Sequence, residues 1–331
     1  MKLTANHDVC NKIYLLSMRD TVKSPAMCCI IELEDIFIND YNAKLISLGE
    51  EVKTPGILFI TAISIHQIEK SLKTISLSKF SAIYAYVFDA FGNSFKENLP
   101  QWRKNISRHH HTIRKITHLF VPFKPAVYNF HEFYQIPVSY IPLGADVVNY
   151  GGYDDNKIID INAYGRQPAQ LTQLLSERFN NRESKRIFLH TNHAGISEIN
   201  DTYQHRKLFW KLLRKSQITL LFDALHTPTN RNFPFSFVPQ RMFESAAAGC
   251  VVVGKRPSCP EMDELFNWPN SMIELPDESD ESDEMVGFLE NLLDNYDLDT
   301  IGRRNYEECL QHHDWRHRIN DMLKIMVSEN T

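Results

Sequence analysis

The residue types that handle anionic ligands concentrate in one stretch, Phe233–Phe266, which reads FPFSFVPQRMFESAAAGCVVVGKRPSCPEMDELF. Arg241–Met242–Phe243–Glu244 leads into a run of small residues, Ser245–Ala248, closed by Gly249 and followed by the apolar run Val251–Gly254. Small side chains keep a helix thin, so its backbone can come close to a ligand. An expected helix N-terminus at Ser245–Ala248 offers N–H groups without intrahelical partners and a partial positive charge, which suit a phosphate. Glu244 is favoured by the same field, and its carboxylate can accept both hydroxyls of a ribose. The plainer alternative is an Ala-rich packing helix with Glu244 as an N-terminal charge, and spacing alone leaves the two level.

Other residues carry chemistry with less support. Asp89 follows the apolar run Ala82–Phe88 and is expected at a strand C-terminus, where it could orient or deprotonate an acceptor hydroxyl. A capping role in the turn is the favoured alternative. Arg19 and Lys23, after the first strand, read as solvated loop cations with an acceptor or phosphate contact as the alternative. His190, Asn192 and His193 end an expected strand where a base or phosphate contact is the less favoured reading. His109, His110 and His111 point in different directions on a helix and cannot converge on one ion, so they and His118 give no metal site. His313 and His317 share a face at i, i+4 and read as structural, packed with Trp315.

The elements that would hold these groups alternate. Short apolar runs at Lys12–Leu16, Gly56–Ile63, Ala82–Phe88, Ile116–Val121 and Val138–Pro142, with a further one at Cys28–Leu33, read as strands buried on both faces. Helical segments at Ile65–Leu77, Pro100–Lys115 and Pro125–Tyr134 lie between them. After IPLGADVVNYGGYDDNK, the best linker by composition, the alternation restarts. Strands are expected at Ile158–Ala163, Arg186–His190, Ile218–Phe222, Val251–Gly254 and Ser271–Leu275. Helices are expected at Pro168–Phe179, Tyr203–Lys215, Arg241–Ala248, Met285–Tyr296 and Asp299–His312, with Pro276–Glu284 an acidic loop. Strand alternating with helix predicts an α/β chain of two Rossmann-like βαβ domains facing a cleft, where ligands sit beyond the strand C-termini.

Composition excludes several classes. The 331 residues suggest about two domains at roughly 150 residues each. At 43% apolar and 23% charged the chain is ordinary globular. A net charge of −5 argues against a dedicated nucleic-acid binder. No apolar run reaches the roughly 20 residues of a membrane span, and the N-terminus is too polar for a secretory signal. Six cysteines without metal or disulfide spacing read as reduced thiols of a cytoplasmic protein. There is no Gly-x-Gly-x-x-Gly after a strand, no phosphate-binding Gly-x-x-x-x-Gly-Lys loop, no Gly-x-Ser-x-Gly elbow and no Asp-x-Asp placed to hold Mg²⁺.

Four motifs in register resemble the GT-B glycosyltransferases, nearest to the family 4-like and spore-maturation-type group. They are Phe243–Glu244 with the small helix to Gly249, the strand Val251–Gly254, Pro260 and Glu264–Leu265; Pro142–Leu143–Gly144–Ala145–Asp146; Tyr164–Gly165–Arg166; and His313–Asp314–Trp315 with Arg318. The second half of the chain matches in residues and the first half in layout. The resemblance implies an acceptor-side domain over residues 1–150, a nucleotide-sugar donor domain over 151–310, and a C-terminal helix over 311–331 crossing back onto the first. It implies transfer of a sugar from a nucleoside diphosphate sugar to an acceptor hydroxyl, with retention, without a metal or other cofactor, in surface-glycan or glycoconjugate synthesis. Donor contacts carry over to Gly165, Arg166, Ser236, Arg241, Glu244, Ser245 and Ala246. Two departures stand out. Ser236 occupies the place of an acidic residue eight positions before Glu244, and the Lys expected shortly after Arg166 is missing, leaving Arg241 or Arg231 as the second cation. Glu244 and Asp89 are the expected catalytic pair, with Asp89 the base if the reaction inverts. The implied acceptor is a glycan, a lipid-linked sugar or a protein, at the inner face of a membrane or in the cytoplasm. The alternative is a two-domain nucleotide- or sugar-binding protein without catalysis, which the Ser236 departure keeps open.

Overall fold

The computed structural model describes residues 13–19, 25–91, 108–190, 199–225, 233–276 and 282–330. The chain divides into two compact units. Unit 1 comprises Met1–Leu143, Glu198–Asn200 and Trp315–Thr331, and unit 2 comprises Gly144–Ser197 and Asp201–Asp314.

In unit 1, β1 (Ile13–Leu16), β2 (Lys44–Ile46), β3 (Gly56–Ala62), β4 (Phe80–Val87), β5 (His118–Val121) and β6 (Val138–Tyr140) form one sheet in the order β2-β1-β3-β4-β5-β6. Every pairing is parallel. The inner strand β3, GILFITA, is buried at all seven positions, whereas edge strand β6 is half-buried throughout. Continuous apolar runs are what a parallel sheet covered on both faces requires. Its helices are α1 (Pro25–Tyr41), α2 (Ile65–Thr74), α3 (Arg108–Ile113) and α4 (Lys124–Tyr134). A reciprocal cap between Ser64 and Gln67 starts α2.

Two readings of unit 1 change. Cys28–Leu33 is not a strand but part of α1, whose 17 residues bury Met27, Cys28, Ile30, Ile31, Leu33, Ile36 and Phe37. A short apolar run has no periodicity of its own, and a helix buried on most sides shows the same composition as an inner strand. Arg19 is no solvated loop cation: its guanidinium lies 2.8 Å from the fully buried carboxylate of Glu34 and 3.0 Å from Asp35. Lys23 and residues 92–107 lie outside the described residues.

In unit 2 the elements are β7 (Ile159–Ala163), α5 (Ala169–Phe179), β8 (Phe188–His190), α6 (Thr202–Arg214), β9 (Ser216–Phe222), α7 (Gln240–Ala247), β10 (Val251–Lys255), α8 (Pro260–Leu265), β11 (Ile273–Glu274), α9 (Ser282–Asn295) and α10 (Leu298–His312). The sheet is parallel in the order β11-β10-β9-β7-β8. Its inward residues, among them Ile161, Ile218, Leu220, Val251 and Val253, pack on Leu171 and Leu175 of α5 and Leu289 and Leu292 of α9. Asp201 caps α6 by accepting the Gln204 N–H at 2.9 Å.

The Gly-rich segment from Gly144 onward is not an open linker. Ala145 donates its N–H to the His313 carbonyl at 3.0 Å, Val148 to Asp314 Oδ2 at 3.0 Å, and Gly152 to the Ala247 carbonyl at 3.0 Å. A Cβ on Gly151 would stand 2.6 Å from the Val147 carbonyl oxygen and 2.9 Å from that of Ala247. Glycine is there for close packing on α7, not for looseness.

The last helix, α11 (Trp315–Asn330), belongs to unit 1. Fully buried Trp315 meets Tyr86 and Phe88 edge-on, and Arg318 Nε donates to the Leu143 carbonyl at 3.1 Å. Tyr41 and His118 bind Asn320 and Glu329 of the same helix, at 2.9 and 2.6 Å. His313 lies in unit 2 among Phe243, Phe266 and Trp268, with its Nε2 2.6 Å from the Leu265 carbonyl oxygen, while His317 is exposed. The chain passes from one unit to the other between Asp314 and Trp315.

Candidate functional site

The C-terminal ends of three adjacent strands in unit 2 carry polar residues. Tyr164–Gly165–Arg166 follows β7, Asp223 follows β9, and Lys255 ends β10. Ligands of parallel α/β sheets bind beyond such ends, and α7 begins at the same edge.

Arg241 lies in the first turn of α7, and its Nη1 donates to the carbonyl oxygens of Tyr164 at 2.8 Å and Arg166 at 3.1 Å. Carbonyls, not a carboxylate, hold this guanidinium. Its Nη2 is enclosed and has no hydrogen-bond partner among the described residues. Burial, and then the neighbouring Arg166, pull the Arg241 pKa down to about 10. The Arg166 guanidinium stacks over the Phe233 ring at 4.7 Å. Two guanidiniums near each other in a desolvated setting suit an anion that carries more than one charge.

Gly165 makes room for this arrangement. Its φ is +79°, and a Cβ there would stand 3.0 Å from Arg241 Cδ and 3.1 Å from Nε and Nη1. Gly165→Ala is expected to cost about 1–3 kcal/mol of stability from the left-handed backbone. It should also push Arg241 off its carbonyls, so diphosphate affinity should fall by roughly tenfold. Calorimetry and a thermal melt on the same sample check both. An alanine variant with parental affinity would show that Gly165 does not set the position of Arg241.

Other expected donor contacts sit differently. The helix starts at Gln240 after the cap Pro239, so Ser245 and Ala246 lie in its second turn, not at an N-terminus. Both are buried, at 1% and 0% exposure, and Ser245 Oγ meets the Tyr164 hydroxyl at 3.1 Å. Burial holds that Tyr164 hydroxyl well above its ordinary pKa, so it stays a phenol and also donates to the Arg241 carbonyl at 3.2 Å. Any N–H donation from this helix falls to its first turn, at Gln240 and Arg241. Glu244 is likewise one turn in. It is 3% exposed, with Oε1 2.7 Å from Arg206 Nη2 in a buried ion pair. The expected helix-N-terminal charge is thus a carboxylate in the second turn, paired with a buried arginine.

Sequence reading missed Arg206. The signal was present, because Arg206, Trp210 and Leu213 lie at i, i+4, i+7 on the buried stripe of α6. An arginine on such a stripe needs an anion or a ring. Arg206 has both, lying 4.5 Å over Phe209 as well as against Glu244. Asp223 was also missed, although it follows a buried strand just as Asp89 does. Ser236 donates to Asp223 Oδ2 at 2.6 Å, and both are buried.

The remaining candidates are scattered or outside view. Asp89 is in unit 1 just past β4, half-buried, with its N–H donated to the Ile63 carbonyl at 2.8 Å. His190 is exposed at the end of β8, whereas Asn192, His193 and Arg231 lie outside the described residues. Of the three consecutive histidines, His111 is exposed. Among the described residues no three His, Cys, Asp or Glu are grouped to hold a metal, and no helix is long and apolar enough to cross a membrane.

Comparison with known proteins agrees with this architecture. Residues 176–324 match a family described as glycosyl transferase-like. HepE of Anabaena, solved in complex with UDP and glucose, superposes with a TM-score of 0.53 at 9% identity, over 96% of this chain and 100% of that one. A glycosyltransferase from Rickettsia africae gives 0.53 at 11% identity, over 95% and 97%. No curated protein matches the sequence. Two parallel-sheet α/β units in this arrangement of elements are the GT-B fold, as the motifs imply.

Proposed function

We propose that this chain, a GT-B glycosyltransferase by fold with a glycosyl transferase-like second unit, moves a sugar from a nucleoside diphosphate sugar to an acceptor hydroxyl. The observation that carries the reading is the Arg241 guanidinium, enclosed beside Arg166 and held by carbonyl oxygens. Departure of a nucleoside diphosphate leaves negative charge, and fixed cations aimed at that charge lower the barrier. In this reading no metal or other cofactor takes part, the anomeric configuration is retained, and the two guanidiniums do what a divalent cation does elsewhere. Glu244 and Arg206 together position the nucleoside. On the acceptor side we assign Asp89, half-buried at the end of a parallel strand, to the incoming hydroxyl, and to base duty if the reaction inverts. The acceptor is a glycan, a lipid-linked sugar or a protein substrate in glycoconjugate synthesis, reached in the cytoplasm or at the inner membrane face.

UDP and glucose, the pair bound to HepE, are the first probes. In a thermal-shift screen of UDP, GDP, ADP, CDP and dTDP, one nucleoside diphosphate should raise the melting temperature. Ligand at a hundredfold its Kd adds about 2.7 kcal/mol to the folded state. The matching nucleotide sugar should then release nucleotide with an acceptor extract present. A shift without release would favour the binding-only alternative, and no shift with any nucleotide would overturn the proposal.

A further inference from the structure

Helix α6 and the residue after it gather cations without any acid of their own. Residues 202–215 read TYQHRKLFWKLLRK, with Arg206, Lys207, Lys211, Arg214 and Lys215 and neither Asp nor Glu, in a chain whose net charge is −5. Some of these cations serve the fold. Arg206 pairs with buried Glu244, Lys215 lies 2.8 Å from Asp154, and Arg214 Nη1 donates to the Gly151 carbonyl at 3.4 Å. Lys207 and Lys211 are exposed and have no ion pair among the described residues.

The outer side of the same helix exposes large apolar side chains. Leu208 is 56% exposed, Tyr203 47% and Leu212 37%. The buried stripe consists of Arg206, Trp210 and Leu213. Gln204, Leu208, Lys211 and Lys215 recur at i, i+4, i+7 and i+11 and form the stripe on the opposite side, with Lys207 and Leu212 flanking it. At the end of the helix the Ile158 N–H donates to the Lys215 carbonyl at 2.9 Å, and Ile158 is a further exposed apolar residue there. A lysine beside a leucine suits a lipid interface, because its stem lies along apolar matter while the ammonium stays among the headgroups.

Area and charge select the occupant. The 13 residues of α6 span about 20 Å, so a face one helix wide covers roughly 200 Å². A stable protein interface needs about 800 Å² from each partner. A bilayer sets no such threshold, because its charge extends around the footprint and each lysine near it adds about fivefold to partitioning. Two exposed lysines on a face without a carboxylate call for an anionic surface.

We propose that the outer face of α6 docks unit 2 on an anionic lipid bilayer, with Lys207 and Lys211 at the level of the lipid phosphates and Leu208 and Leu212 entering the headgroup region. The inference rests on the glycosyltransferase reading above and deepens it, since it selects the lipid-linked sugar from the acceptors named there. The buried side of the same helix holds Arg206 against Glu244, so one element carries both the lipid face and part of the candidate donor site. With so few groups the docking is reversible and is screened by salt.

Cosedimentation with two kinds of vesicle tests this: phosphatidylcholine alone, and phosphatidylcholine with about one third phosphatidylglycerol. The parent should bind the anionic vesicles at low salt, bind the neutral ones at least about tenfold more weakly, and be released by about 0.5 M salt. Lys207→Glu/Lys211→Glu should weaken partitioning on the order of a hundredfold or more. Leu208→Ser/Leu212→Ser, with its charge unchanged, should weaken it about tenfold. The same charge reversal at Lys53 and Lys70, both exposed in unit 1, should change it by no more than about twofold and so controls for net charge. Every variant should keep the parent's melting temperature and its nucleotide-induced shift, which shows that it has folded. A parent that binds neither vesicle overturns the inference. So does an α6 reversal no worse than the unit 1 reversal, or a serine variant that binds as the parent does. A concentration-dependent dimer lost in the α6 variants would make the face a contact between copies of this chain and would also overturn it. A parent that docks on anionic vesicles yet shifts with no nucleotide leaves the lipid face standing and overturns the glycosyltransferase reading instead.

Discussion

Arg241→Gln is expected to abolish measurable nucleoside diphosphate binding while leaving the free protein at least as stable as the parent. The guanidinium is desolvated and stands beside Arg166, and both effects draw its pKa down from its ordinary value to about 10. Between those values the unfolded chain binds a proton that the folded chain does not, so stability rises with pH there. Below about pH 10 the folded state keeps the charge at a penalty, which is present in full at neutral pH. Glutamine removes the charge and keeps an amide NH2 that can donate to the Tyr164 or Arg166 carbonyl. A diphosphate reverses the balance by placing its charges against both cations. Each charge-assisted hydrogen bond of this kind is worth about 1.5–3 kcal/mol. Removing both Nη2 N–H donors should therefore weaken Kd on the order of a hundredfold or more. Arg241→Lys, which keeps the charge but not the fork, should fall between. Calorimetry with the best nucleotide and a melt of the free variant give both halves of the result. Parental affinity in Arg241→Gln would mean the anion is held elsewhere. A large fall in melting temperature would make Arg241 a structural clamp between the β7 loop and α7.

How much of this was legible in the chain depends on the range of the interactions. The inner strands were readable because β3 and the Ile218–Phe222 part of β9 are short runs rich in apolar residues. Helices α6 and α10 were readable to within about a residue because their apolar residues recur at helical spacing and Asp201 and Asp297 mark their starts. Where local pattern and tertiary context disagree, context wins. Cys28–Leu33 has strand composition and lies in a helix because α1 is covered on most sides. The small residues Ser245–Ala248 mark the interior of α7, and its start is set by Pro239, which fits the extended position before the first turn. The 144–152 segment has the composition of a loose connection, yet Gly151 in it serves tight packing instead. At the site, Gly165–Arg166 and Arg241 were visible as motif residues. The partners Arg206 and Asp223 were not, because Arg206 is 38 positions from Glu244 and Asp223 is 13 from Ser236. Nothing in sequence spacing records a contact that the sheet topology creates.

Glu244→Gln is expected to act first on stability and only second on nucleotide recognition. The Glu244 and Arg206 side chains are 4% and 5% exposed, and their atoms meet at 2.7 Å. Removing one partner of a buried pair leaves the other charge enclosed, which costs about 3–5 kcal/mol. Glutamine still offers an acceptor to Arg206, so a loss of about 3 kcal/mol is expected. Arg206→Met should cost a similar amount by stranding the carboxylate. The double variant Glu244→Gln/Arg206→Met should recover most of the loss, because a buried ion pair replaced as a unit is often nearly neutral. Thermal melts of the four proteins measure the coupling, and strictly additive losses would show that the pair is not an energetic unit. The double variant then isolates the second effect. If Glu244 also accepts the ribose hydroxyls, the parent should prefer the ribonucleotide over its 2′-deoxy counterpart, and the refolded double variant should lose that preference. Should the double variant discriminate ribose as the parent does, Glu244 would be an anchor for Arg206 and the rings of α6, with the nucleoside read by other groups.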